Sequence, residues 1–158
     1  MNFSIRRNVE LSSLDYLREQ FEANWNNITL VKTFRQVYDK GFEPPIVSAF
    51  LENSFSNRKE IGNTALTKTH SINIHIFATS DGQRIDIAEF IVEKLKTDWN
   101  YYEYSHPSGD HSTLQRSGAS GKIHAVSFDL DTAIRFAENV DVKDRFRHQI
   151  NVSVTTSF

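Results

Sequence analysis

Positions 71–95 read SINIHIFATSDGQRIDIAEFIVEKL, a strand pattern that runs directly into a helix pattern. Ile72, Ile74, Ile76 and Ala78 stand at every second position, the period of two that is typical of a strand with one buried face. Ser80 and Gln83 have the spacing of a capping box, in which the hydroxyl accepts from a helical amide and the glutamine reaches back. The segment therefore predicts a packed strand and helix, and it contains few groups suited to catalysis.

Size and composition limit the class of protein. The 158 residues are 39% hydrophobic and 24% charged, which is ordinary for a globular protein, so we predict a single domain over 1–158. A net charge of −2 is unlike the basic excess of a dedicated duplex-DNA binder. Since cysteine is absent, disulfides, thiolate catalysis and cysteine zinc sites are excluded. No apolar run suits a membrane span or a secretory signal, so we expect a cytoplasmic protein or a particle assembled there.

The other patterns predict an α+β fold with a mainly antiparallel, twisted sheet and two main helices packed on it. Ser12 or Ser13 is expected to cap the first helix, and the second helix is expected to end near Asp98. Pro44 and Pro45 lead us to expect that the next strand begins at a sheet margin. Strand patterns lie at 46–51, 72–78, 101–104, 123–130 and 149–156, while 28–38 is ambiguous with a strand tendency.

Three polar segments interrupt these elements. Residues 52–68, with Gly62 in the middle, predict a long polar hairpin arm or loop. Residues 106–121 contain one proline and three glycines and predict a flexible loop. Residues 131–145 predict either a short helix or an irregular excursion.

The histidines and acids offer one enzymatic alternative. His106, His111 and Asp110 have suitable ligand atoms for zinc, but a metal site needs at least three ligands on a rigid framework. Asp129 and Asp131 lie at a strand end, where metal-dependent nucleases place acids. We expect no metal site, and a small metal-dependent enzyme that uses these two acids and a loop histidine remains the lesser alternative.

Other motifs for catalysis are weak. The SGASG stretch at 117–121 is not a nucleophile elbow, and Lys122 alone does not make it a phosphate loop. Asp86 and Glu89 share a helix face, a pattern more typical of a solvated surface than of an acid–base pair. His70 and His75 lie five apart on a strand, hence on opposite faces, and cannot chelate together. We predict no catalytic residues.

The basic residues are clustered in the arm and before the last strand. Arginine beside an aromatic residue, as at Phe146, suits nucleic-acid binding, but it suits ion pairs between subunits equally well. The near-neutral net charge favours the second interpretation. The predicted subunit-interface residues are Arg58, Lys59, Glu60, Arg84, Arg145 and Arg147.

A family resemblance is carried by five stretches, namely KEIG at 59–62, HSINIHIFA at 70–78, DGQR at 81–84, IDIAEFI at 85–91 and FRHQINVSV at 146–154. In their order and pattern, the chain resembles the small tail-terminator or head–tail completion (neck) proteins of tailed bacteriophages, the group that includes the minor tail protein U of lambdoid phages. The resemblance covers roughly position 46 to the last residue. The segments 106–121 and 131–145 are longer than a minimal member of this group needs.

The resemblance implies a structural virion protein that forms a homo-oligomeric ring, commonly a hexamer. Such a ring caps the head-proximal end of the tail tube, ends tube polymerisation and joins the tail to the head. Its partners are the tail tube protein and the head connector or neck proteins, and DNA passes through its lumen without specific binding. The resemblance implies no enzyme activity, no cofactor and no membrane partner.

The residues themselves are compatible with such a ring. A head-to-tail ring needs two different complementary surfaces on each copy. We expect the arm 52–68 and the terminal strand, which is rich in serine and threonine on one side, to supply them. The main alternative is a binding adaptor, in which the exposed loop recognises a protein or nucleic-acid partner.

Overall fold

The chain forms one mixed sheet with two helices. A computed structural model describes residues 5–58, 61–62, 66–106, 114–136 and 142–158. The helices are α1 (Ile5–Asn24) and α2 (Asp81–Leu95), and the strands are β1 (Thr29–Val31), β2 (Ile46–Arg58), β3 (Leu66–Ala78), β4 (Trp99–Ser105), β5 (Gln115–Ile134) and β6 (Phe146–Ser157). The strand order is β1-β2-β3-β6-β5-β4, and only the β1–β2 pair is parallel. The predicted α+β fold with a mainly antiparallel sheet is confirmed.

Both helices pack on the same face of the sheet, here called the helix face. They touch each other through Phe21 and Phe90, whose ring centroids are 5.7 Å apart, and Tyr16 Oη donates to the Lys94 carbonyl at 2.8 Å. The isoleucines of β3 lie fully buried beneath them, as the period-two pattern predicts. Among the described helices, none is both long and apolar enough to span a membrane.

The opposite face of the sheet, here called the open face, carries a smaller cluster at one end. It consists of Val31, Val37, Ile46 and Phe77, with Phe34 and Phe42 packed against them. The 3₁₀ turn Phe34–Tyr38 supplies two of these residues, so the ambiguous segment 28–38 divides into a short strand and this turn. Strand β3 is therefore buried on both faces near its end, which its alternation alone does not show.

Helix α1 begins at Ile5, seven residues before Ser12, the earlier of the two predicted caps. Ser12 and Ser13 are buried within the helix, where their hydroxyls contact β4. Ser13 Oγ accepts from Trp99 Nε1 at 3.1 Å, and Ser12 Oγ accepts from the Tyr102 amide at 3.0 Å. The prediction was wrong because a serine that caps a helix and a serine that bonds a neighbouring strand look alike in sequence.

Helix α2 begins where it was predicted and ends at Leu95, before the predicted end near Asp98. Ser80 Oγ accepts from the Gln83 amide at 3.2 Å, as a helix cap does. The Gln83 side chain reaches one residue further back than a capping box requires, because its Oε1 accepts from the Thr79 amide at 2.8 Å.

Strand β5 is much longer than predicted and includes part of each of two expected loop segments. It includes 115–121 from the first and 131–134 from the second, whereas 107–113 and 137–141 lie outside the described residues. Register shifts opposite Tyr102 let this glycine-rich stretch continue as a bulged strand. Gly121 is required there by close packing, because a Cβ atom would lie 2.5 Å from the Ser157 carbonyl oxygen of β6.

Strand β2 begins one strand inside the margin of the sheet. Ile46 pairs with Thr29 on one side and with Phe77 on the other, so the short β1 takes the marginal place. The Pro45 carbonyl accepts from the Thr29 amide at 3.1 Å, which starts this parallel pairing. Proline is tolerated next to the sheet here because its carbonyl, and not an amide, makes the bond.

Candidate functional site

The distal part of the β2–β3 hairpin forms an arm beyond the sheet. Past Glu52, β2 pairs only with β3 in the described chain, and β3 begins to pair with β6 at His70. The arm, defined here as 53–58 and 66–69 with the described turn residues 61–62, is therefore a two-stranded ribbon roughly 17 Å long. Such a ribbon is at best marginally stable by itself in water.

The arm exposes apolar and basic side chains. Phe55 is 55% exposed, and Ile61, in the turn, is fully exposed. Arg58 and Lys68 are exposed and form no ion pair with any described residue. Of the predicted interface residues, Arg58 thus lies on the surface, while Lys59 and Glu60 lie outside the described residues.

Arg84 lies inside the subunit, with 7% of its surface exposed. Its Nη1 is 2.6 Å from His148 Nδ1, and its Nε is 3.2 Å from Asp81 Oδ1. His148 Nε2 in turn contacts Asp131 Oδ1, so a chain of polar contacts links α2 to β6 and β5. Arg84 thus ties α2 to the sheet and has little surface to offer a neighbouring copy.

Arg147 is also buried, in an aromatic cage on the open face. Its guanidinium lies 4.8–5.5 Å from the ring centroids of Phe34, Phe77 and Phe136. Its Nη2 is 3.2 Å from His75 Nδ1, and its Nη1 is 3.7 Å from Asp144 Oδ1. Cation–π contacts of this kind stabilise the fold itself, so Arg147, like Arg84, supports the subunit from within.

Arg145 is exposed, two residues before the caged arginine. It forms no ion pair with any residue in the described part of the chain. Among the six predicted interface residues, Arg58 and Arg145 are the two that the structure places on the surface.

The cage holds His75 in its neutral form. Burial, and then the nearby positive charge of Arg147, lower the pKa of His75 to about 4. Its ring stacks on Phe50 at 5.9 Å between centroids and meets the edge of Phe34 at 5.1 Å. His75 therefore accepts a hydrogen bond from Arg147 at neutral pH, a pairing that sequence spacing does not reveal.

The acids and histidines of the enzymatic alternative are held apart. Asp129 bonds Ser127 and Ser153, which lie on the open face, and those hydroxyls lower the pKa of its carboxyl group. Asp131 contacts His148 on the helix face. Within the described ranges, no group of three or more histidine, cysteine or acidic residues is arranged to hold a metal ion.

The remaining histidines considered as metal ligands are His106 and His111, in the predicted loop, and His70 and His75, on a strand. His106 lies just after β4, while Asp110 and His111 fall outside the described residues. His70 bonds Ser54 at 2.7 Å on the helix face and His75 contacts Arg147 on the open face, so these two histidines lie on opposite faces, as predicted.

A groove of about 720 Å³ lies beside α2 on the helix face. Its floor contains Trp25 and Phe90, whose rings meet edge to face at 5.8 Å between centroids. Asp86 and Glu89 lie on its rim and are exposed. This exposure agrees with the prediction that the two acids share a solvated helix face. This aromatic groove was missed at the sequence level, because Trp25 comes from the end of α1 and meets α2 only in the folded chain.

The terminal strand β6 lies in the interior of the sheet, between β3 and β5. It therefore offers only its open face, where a row of amides is hydrogen-bonded to β3. Asn73 Oδ1 accepts from Gln149 Nε2 at 3.1 Å and from Asn151 Nδ2 at 3.0 Å. Both edges of β6 are paired along most of its length, so it has no free edge to add to a neighbouring copy.

No family model matches this chain, and no curated protein matches it.

Proposed function

We propose that this chain is a structural subunit of the tail-terminator or neck kind, which assembles with copies of itself into a ring at the head-proximal end of a phage tail. There it ends tube polymerisation and joins the tail to the head, without catalysis and without a cofactor. The proposal draws on the resemblance carried by 59–62, 70–78, 81–91 and 146–154. The observation that supports it most directly in the fold is the arm.

The arm needs a partner for its order. Its two strands pair with each other but, in the described chain, with no further strand, and Phe55 and Ile61 face solvent. An isolated hairpin is marginal in water, and exposed apolar side chains at the end of such a ribbon are typical of a contact surface. A neighbouring copy that covers the arm supplies the missing burial.

Ring closure needs a second, different surface on each copy. The arm projects from one end of β3, whereas α2 packs over β3 and β6 in the middle of the sheet. These regions differ in shape and charge, as a head-to-tail contact requires. The tail tube protein and the head connector would then meet the two rims of the ring.

A binding adaptor is the second candidate, and the open face of the sheet favours it. The amide row of Asn73, Gln149 and Asn151 presents a polar surface that a peptide or a nucleic acid can contact.

Native mass spectrometry over a range of protein concentrations and salt, with negative-stain electron microscopy, tests the proposal. We expect a closed ring, with six copies as the resemblance implies. A protein that stays monomeric under every condition contradicts a self-assembling ring and favours the adaptor. A tightly retained metal ion in the same spectra would instead favour the enzymatic alternative.

A further inference from the structure

We propose that the arm of one copy docks into the aromatic groove of the next copy, with Ile61 against Trp25 and Phe90, and with Arg58 and Lys68 facing Asp86 and Glu89. This inference rests on the proposed ring and names the contact that closes it. Nothing in the sequence pattern assigns a role to the groove.

The charges of the two surfaces are opposite and uncompensated. Asp86 and Glu89 are exposed and form no ion pair with any described residue, and the same holds for Arg58 and Lys68. The two lysines beside the groove are already engaged. Lys96 pairs with Glu93 at 2.9 Å, and the Lys94 ammonium lies 5.5 Å from the Phe90 ring centroid.

The apolar parts also match. The groove floor holds two partly buried aromatic rings, and the arm ends in a fully exposed isoleucine. A volume of about 720 Å³ is sufficient for several side chains of a hairpin tip. Burying Ile61 on the Trp25–Phe90 pair would remove apolar surface of both copies from water, which favours association.

An arm cannot reach the groove of its own chain. Asp131 lines the groove and pairs with Ile150, which pairs with Ile74 of β3. Ile74 lies eight residues along β3 from Leu66, or roughly 26 Å from the arm's distal end. The contact is therefore made between copies, and because its two surfaces differ it propagates head to tail, which is the arrangement that the proposed ring requires.

Charge reversal on each surface tests the contact. The groove variant carries D86K and E89K, and the arm variant carries R58E and K68E. A control matched to the arm variant carries R35E and K40E, the same two charge reversals on exposed residues near the open-face cluster. Native mass spectrometry gives the concentration at which half of each protein is assembled, and thermal unfolding checks that each variant is folded.

We expect the groove and arm variants each to need at least about tenfold more protein for assembly than the wild type, since like charges would then meet across the contact. The control should assemble as the wild type does. An equimolar mixture of the groove and arm variants should regain assembly, because each reversed surface then meets a complementary one on the other variant.

The possible failures are distinguishable. Rings that form equally well in both variants overturn the arm–groove contact and leave the proposed ring intact. Variants that lose assembly without recovery on mixing overturn the pairing of these two surfaces in the same way. A wild-type chain that remains monomeric throughout overturns both the ring and the contact.

Discussion

At the scale of single residues, a buried cation organises the open face. Arg147 sits among three aromatic rings and contacts His75, which must be neutral to accept a hydrogen bond from it. Protonation of His75 would place a second positive charge against the guanidinium in a partly desolvated site. The cage therefore makes the fold sensitive to acid.

We predict that stability falls as pH decreases from about 6.5 towards 4. The folded pKa of His75, about 4, lies below its unfolded value of 6.5, so the unfolded chain binds the proton first over this interval. Above pH 6.5 both states are neutral, and His75 has no effect on the pH dependence. Urea unfolding at a series of pH values measures the slope.

The variant H75N isolates this effect. Asparagine removes the titrating ring and keeps an acceptor oxygen for Arg147, so the slope between pH 6.5 and 4 should decrease. His70 contributes in the same direction, because burial also lowers its pKa, and H70N should remove a separate share of the slope. An H75N profile parallel to that of the wild type would exclude His75 as a source of the acid sensitivity.

Such residue contacts are hard to predict from sequence. The period-two pattern assigns His75 to a strand and leaves Arg147 just before one, and their contact depends on the β3–β6 register that pairs Phe77 with Arg147. Arg84 and Arg147 both look like surface charges in the sequence, but both are buried in the fold. Arg58 and Arg145, which are exposed, look the same in the sequence as these two buried arginines.

At the scale of elements, α1 protects the free edge of β4. Asn8 Oδ1 accepts from the Tyr104 amide at 3.3 Å, Ser12 Oγ accepts from the Tyr102 amide at 3.0 Å, and Arg7 Nη2 donates to the Tyr104 carbonyl. Side chains of a helix thus occupy backbone groups that a further strand would otherwise pair. Covering an edge in this way prevents unwanted sheet extension.

We predict that S12A destabilises the protein by about 1–3 kcal/mol, because it leaves the Tyr102 amide without its partner in a part-buried position. Urea unfolding measures the loss, and hydrogen exchange should show faster exchange at the Tyr102 amide. E22A, an exposed change on the same helix, should stay within about 0.5 kcal/mol of the wild type. Unchanged stability and exchange in S12A would show that the bond contributes nothing.

Most helices and strands were predictable from the sequence, and the errors occur where tertiary packing decides the local structure. Local patterns place the start of α2 and the cores of β3, β5 and β6 correctly, because each has an apolar period of its own. The stretch 115–121 looks like a loop, but tertiary packing forces it into β5, since β6 approaches Gly121 too closely for any side chain. Likewise, Ser12 and Ser13 hydrogen-bond residues of β4 and do not cap α1.

At the scale of the whole molecule, the hydrophobic core and the proposed assembly surface occupy separate parts of the chain. The hydrophobic core lies between the helices and the central strands, and the arm contributes mainly exposed residues. A chain built in this way can change its arm without losing its core. That separation makes the role of the arm testable without unfolding the protein.

We predict that replacing 56–68 by Asn-Gly keeps the fold and abolishes assembly. A two-residue turn can connect Phe55 and Thr69, which are already paired, so the free energy of unfolding should change by about 1 kcal/mol or less. Circular dichroism during urea unfolding and native mass spectrometry measure the two effects. V126S, which removes an exposed apolar side chain from β5, serves as the control and should still assemble.

An arm-less variant that forms the same oligomer would show that the copies meet elsewhere. A variant that fails to fold would show instead that the arm belongs to the core, contrary to its exposure.

The position of β6 has a consequence for how the sheet comes into being. β6 is the last strand in chain order, yet it lies between β3 and β5 and completes the core beneath the helices. During synthesis, the two halves of the sheet must therefore wait with unpaired inner edges until β6 leaves the ribosome. Pairings this distant in sequence form slowly, so β3 and β5 each present an open strand edge until β6 is in place.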